Sequence, residues 1–80
     1  MPQTPQPNPQ VLKDLILVKM PFGKYKGRFI CDLPAYYLEW FYGVGFPKGK
    51  IGELLETMFV IKTEGLEYLI EPLKKLRPNT

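Results

Sequence analysis

Eighty residues with a formal net charge of +3 describe one small, mildly basic domain, of a size that buries only about 60% of its unfolded surface. Histidine and serine are absent and Cys31 is the sole cysteine. That excludes a Cys-His dyad, a serine nucleophile, a structural zinc set and an internal disulfide.

The first ten residues carry four of the nine prolines and no apolar side chain after Met1. They read as a disordered Pro/Gln-rich leader, because so little apolar surface cannot offset chain entropy. The folded unit is expected over residues 11–76, with a flexible tail over 77–80. Val11 to Val18 fits either a helical face (Leu12, Leu15, Ile16) or a buried strand, and a short helix ending before Lys19 is the preferred reading. Pro21 disfavours helical geometry at Met20.

Phe22-Gly23-Lys24-Tyr25-Lys26-Gly27-Arg28 packs three cations, two aromatics and two glycines together without an acid. Met20 to Phe22 and Arg28 to Cys31 read as two extended arms, with Gly23 and Gly27 supplying the positive φ of a hairpin loop. Asp32-Leu33-Pro34 opens a helix, with Asp32 as its cap. That helix carries Tyr37, Leu38 and Phe41 on one face and Tyr36 and Trp40 on an adjoining one, and Gly43 and Gly45 end it. Phe46-Pro47-Lys48-Gly49-Lys50 forms a second basic loop. In the next helix Ile51, Leu54, Leu55, Met58, Phe59 and Ile61 form an apolar stripe opposed by Glu53, Glu56, Thr57 and Glu64. Gly65 stops it. Leu66, Leu69, Ile70, Leu73 and Leu76 repeat the helical spacing, and Pro72 should kink or truncate that last helix after Glu71.

These elements predict an α+β fold: a short two-stranded antiparallel hairpin packed against three or four short helices. A hairpin of that length is marginal alone and must lean on helices.

Little catalytic chemistry remains. Glu53 with Glu56, and Glu64 with Glu67, lie one helical turn apart, but carboxylates so placed are ordinarily solvated surface. Neither pair offers the further oxygen ligands of a hard cation. The glycine-rich segment lacks Walker spacing and a βαβ context. Cys31, at the end of an apolar stretch, reads as a buried small hydrophobe. No enzyme activity, metal or cofactor is expected.

The basic residues carry the functional reading. Residues 1–50 hold seven Lys or Arg against three acids, and residues 51–80 four against five, an asymmetry that permits an anionic partner (nucleic acid, an anionic membrane surface or an acidic protein) without demanding one. Lys24, Lys26 and Arg28, extended by Lys48 and Lys50, would track phosphates, with Tyr25, and Tyr36 or Trp40 nearby, as stacking surface. The plain alternative makes Phe22, Tyr25 and Phe29 inward anchors of the hairpin and the lysines its solubilising edge. A second functional reading uses exposed aromatics of the 36–46 region, Tyr36, Trp40 and Phe46, to dock a protein partner or a second copy of the chain. Peripheral contact with an anionic membrane is a third and less favoured one. The longest apolar run, Leu15 to Val18, falls far short of the roughly 20 residues of a membrane-spanning helix. No signal peptide is visible, so the expected location is the reducing cytoplasm.

Met20-Pro21-Phe22-Gly23-Lys24-Tyr25-Lys26-Gly27-Arg28, then Asp32-Leu33-Pro34, Tyr37-Leu38-Glu39-Trp40-Phe41 and Gly45-Phe46-Pro47-Lys48-Gly49-Lys50, resembles a family of small bacterial proteins. That family carries the label "putative quorum-sensing-regulated virulence factor" and has no assigned molecular function. The resemblance covers about residues 18–72 and implies regulated expression, not a mechanism. Phe-Gly-Lys-x-Lys-Gly followed by Leu-Pro-x-x-Tyr-Leu-x-Trp is also similar to a segment appended to some exonuclease-like proteins, which implies a nucleic-acid context.

Overall fold

The first helix begins where a proline can begin one. Pro9 has no N–H to leave unpaired and a φ already suited to a helix, and α1 runs Pro9–Leu17. The computed structural model describes residues 9–77; the remainder of the expected leader (1–8) and tail (78–80) lies outside the described residues. Gln10 Nε2 donates to Asp14 Oδ1 at 3.0 Å, one turn on, while Leu15 and Ile16 face the core.

The chain then closes a loop instead of building a sheet. Met20 N–H donates to Arg28 O at 2.7 Å, Gly27 N–H to Met20 O at 2.8 Å and Ile30 N–H to Val18 O at 3.0 Å. Lys19 and Phe29 form an isolated antiparallel bridge. Among the described residues there is no strand, so the expected α+β hairpin is corrected to a closed loop in a helical domain. The reason is local. Pro21 cannot donate to a ladder, the tip winds inward through Lys26 N–H to Gly23 O (3.2 Å) and Arg28 N–H to Tyr25 O (3.0 Å), and the second arm passes at once into a 3-10 turn, Ile30–Asp32.

Helix α2 spans Ala35–Val44 and is capped by Pro34, with no side-chain cap hydrogen bond; Asp32 is used elsewhere. Its inward face is Tyr37, Leu38 and Phe41. Gly45, at φ +109, ends it by returning its N–H to Phe41 O at 2.7 Å. Helix α3, Lys50–Thr63, buries Leu54, Leu55, Met58 and Ile61 as its stripe predicts, and also Thr57 on the expected polar face. Gly65 (φ +68) turns the chain so that Leu66 N–H reaches Ile61 O at 2.8 Å, a Schellman-type closure.

A 3-10 turn, Glu67–Leu69, leads into the single turn α4, Glu71–Lys74, in which Pro72 occupies the first turn. Proline thus starts this helix where a kink was expected. Lys74 Nζ reaches Asp32 Oδ1 at 3.3 Å and Glu71 Oε2 at 3.2 Å. Arg77 Nη1 lies 3.7 Å from Asp32 Oδ2, and its guanidinium sits 4.0 Å from the Phe29 ring centre. Asp32, expected to cap a helix, instead receives the C-terminal cations. Leu15, Met20, Ile30, Leu38, Leu55 and Ile61, each essentially without exposure, form the centre where α1, α2 and α3 meet. No helix among the described residues is long and apolar enough to cross a membrane.

Candidate functional site

The basic loop is shaped by its two glycines and held by its aromatics. Gly23 (φ +79) and Gly27 (φ +91) take left-handed conformations that L side chains resist. Gly23 is constrained twice, because a Cβ there would lie 2.8 Å from the Tyr37 hydroxyl. Tyr25 points back onto α2. Its ring meets Tyr37 edge-on with centroids 4.7 Å apart, and its hydroxyl is hydrogen-bonded to that of Tyr36. Lys24 Nζ lies 5.6 Å from the Tyr25 ring centre and 5.7 Å from that of Tyr36, while the Arg28 guanidinium lies 5.4 Å from Tyr25. Exposed cation–π contacts of this kind contribute about 0.5–1 kcal/mol each. They restrain the cations without neutralising them. Lys24, Lys26 and Arg28 are exposed, and no carboxylate among the described residues forms an ion pair with them.

Residues Lys24 to Arg28 line a shallow cleft of about 440 Å3. Beside it lies a second, apolar notch of about 330 Å3, walled by Phe22, Gly23, Lys24, Tyr37, Trp40 and Phe41. Lys24 belongs to both. Trp40 is 56% exposed, yet its ring is braced from beneath: it is parallel to Tyr37 (9°, centroids 6.3 Å) and edge-on to Phe41 (5.0 Å).

The expected site residues separate into groups. Lys24, Tyr25 and Arg28 come together with Tyr36, and Lys24 with Trp40, so two of the three aromatics of the docking reading join the basic loop. Tyr25 serves mainly as a brace, its ring already covered by Tyr37 and two cations. Lys50 is committed elsewhere, paired with Asp14 Oδ2 at 3.0 Å across α3 and α1. That hydrogen bond holds the Asp14 carboxyl below its ordinary value; partial burial opposes it, and the Gln10 hydrogen bond and the Lys50 charge add to it. Lys48 is exposed on the turn before α3. Phe46 is half-buried, stacked over Phe41 (6.3 Å, 17°) and packed on Phe59. Phe22, read from the sequence as an inward anchor, is 40% exposed and walls the notch; its place between Pro21 and a left-handed glycine is the only local signal.

Cys31 is buried beneath the C-terminal segment, with Arg77 Nη2 at 3.6 Å from its sulfur. Burial pushes its thiol up, and the Asp32 charge adds to that. At Lys74 burial works against the charge, but the hydrogen bond to Glu71 and the contacts with Asp32 outweigh it and raise the pKa.

A family described as "Putative quorum-sensing-regulated virulence factor" matches residues 8–73. The chain is 58% identical over 57 residues to "Uncharacterized protein YpeB" of Escherichia coli strain K12, a span covering 70% of this chain and 79% of that protein. The protein of the same description from Escherichia coli O157:H7 matches to the same extent. No solved structure matches the chain significantly. With nearly the whole described unit matched, and with the basic loop, α2 and α3 all inside the match, the chain belongs to the putative quorum-sensing-regulated virulence factor family.

Proposed function

We propose that this protein is a non-enzymatic binding module whose basic loop contacts the phosphates of nucleic acid. The observation that carries the reading is the cluster of Lys24, Lys26 and Arg28: exposed, unpaired with acid among the described residues, and with Lys24 and Arg28 held against tyrosine rings. Cations restrained by aromatics lose little freedom on meeting a phosphate. They also attract it at long range. Lys48 is a further exposed cation, on the turn before α3, while Lys50 contributes less because it is shared with Asp14.

The test is fluorescence anisotropy of a labelled oligonucleotide at two salt concentrations. Three phosphate contacts to a single strand give a log–log salt slope of about −2, so a fourfold rise in salt weakens binding roughly 20-fold. Lys24→Ala with Lys26→Ala should flatten that slope. Absence of binding at low salt sinks the reading. The competing reading, a protein-docking surface on Tyr36 and Trp40, predicts capture or self-association indifferent to the lysine changes, and Phe46 is too well packed to share in it.

A further inference from the structure

We infer that the notch between Phe22 and Trp40 receives one unpaired nucleobase, so that the ligand of the basic loop is single-stranded. The inference rests on the reading of Lys24, Lys26 and Arg28 as phosphate contacts and adds what those cations cannot supply, a choice between strand and duplex.

Three features point to a base. The notch is about 330 Å3, at the small end of the roughly 300–1,000 Å3 of small-ligand sites, and it is walled by aromatic rings. Its rim is cationic on one side only, through Lys24, which also lines the cleft of Lys26 and Arg28. A ring seated in the notch therefore places its own phosphate at Lys24 and the next at the rest of the loop. Thirdly, Trp40 is pre-positioned. Half-exposed but supported by Tyr37 and Phe41, it offers a stacking surface whose ordering cost was met on folding.

Gly23 keeps the entrance open. It forms one wall, and any side chain there would drive against the Tyr37 hydroxyl. A paired and stacked duplex presents phosphates to the loop but no free base face to Trp40, whereas a single strand presents both. Charge complementarity favours this occupant over an apolar peptide, since the notch opens beside three cations with no ion-paired acid among the described residues.

Trp40 is the only tryptophan, so one titration of the full chain yields two signals: anisotropy of a labelled oligonucleotide, and Trp40 emission. A short oligothymidylate should bind and quench Trp40, while a blunt duplex of equal strand length should bind without quenching. Phe22→Ala and Trp40→Ala should each weaken the single strand by roughly fivefold or more, the lower range for one stacked base, and leave the duplex unchanged. Both side chains are well exposed, and if Trp40→Ala loses helicity by circular dichroism the Phe22 variant carries the test. Binding of both oligonucleotides with Trp40 emission unchanged overturns the notch while the loop reading stands. No anisotropy change with either sinks both. A dimer that Trp40→Ala dissolves and oligothymidylate does not disturb assigns the notch to a second copy of the chain and overturns the inference.

Discussion

Gly52 and Pro47 meet backbone to backbone: a Cβ on Gly52 would lie 1.6 Å from the Pro47 carbonyl oxygen. The first turn of α3 is thus seated directly on the loop that precedes it. Gly52→Ala cannot be relieved by a side-chain rotation, because the obstructing atom is main chain. Overpacking costs about 1–3 kcal/mol in ordinary cores, and this contact belongs at or above the upper end. With about 4–8 °C of melting temperature per kcal/mol in a domain this small, thermal denaturation should show a loss well above 10 °C or no cooperative transition. A near-normal melting curve would mean that α3 does not sit on Pro47.

Gly23 and Gly27 offer a paired comparison. Both have positive φ, but only Gly23 faces an obstacle, the Tyr37 hydroxyl. Left-handed geometry costs an alanine about 1–2 kcal/mol. Gly27→Ala should therefore lower the melting temperature modestly, and Gly23→Ala by more. Equal losses would count against the close approach of the loop to α2.

Asp14 predicts an acid limb in the stability profile. Its carboxyl is held below the ordinary value when folded, chiefly by the hydrogen bond from Lys50. A depressed acid stabilises the fold fully above the unfolded pKa, near 4, and loses that contribution as pH falls through the folded value. The melting temperature should accordingly be level between about pH 5 and pH 8 and fall below about pH 4, and Asp14→Asn should make the acid fall shallower. Lys50→Met should do the same while barely altering the salt slope of oligonucleotide binding. A Lys50 variant that changed the slope as strongly as Lys26→Ala would return Lys50 to the ligand site.

Cys31 should alkylate slowly in the native protein, being both buried and harder to ionise than an ordinary thiol. Arg77 lies over it and Asp32 holds Arg77. Arg77→Ala removes the Asp32 pair, the contact with the sulfur and the stacking on Phe29 together, a loss of at least about 1 kcal/mol in local closure, so iodoacetamide labelling should speed roughly fivefold or more. The overall melting temperature should drop by only a few degrees. Unchanged labelling would show that the last turn does not guard the thiol.

Helix positions were legible where one periodic stripe dominated. Leu54, Leu55, Met58 and Ile61 announced α3, and Tyr37, Leu38 and Phe41 announced the buried face of α2. The misread elements depended on partners distant in sequence. Lys50 looked like a free loop cation because Asp14 lies 36 positions earlier, and Asp32 looked like a cap because Lys74 and Arg77 lie more than 40 positions later. The hairpin failed for a different reason. Gly23 and Gly27 do make the reversal, but Pro21 and the tight turn at Ile30–Asp32 leave no length for a ladder. At the site, the cations were visible as a cluster, whereas Phe22's outward position and Trp40's support by Tyr37 and Phe41 required the fold.

Trp40 rests on two residues that also belong to the core, Tyr37 and Phe41. Whatever settles against it presses on rings that α2 contributes to the folding equilibrium itself. Occupancy of the notch is therefore linked to melting: a molecule present at 100 times its Kd raises stability by about 2.7 kcal/mol. In a chain this short that is an upward shift of some 10 °C or more, so heating the protein beside a panel of nucleotides would test the proposed notch and rank any that bind.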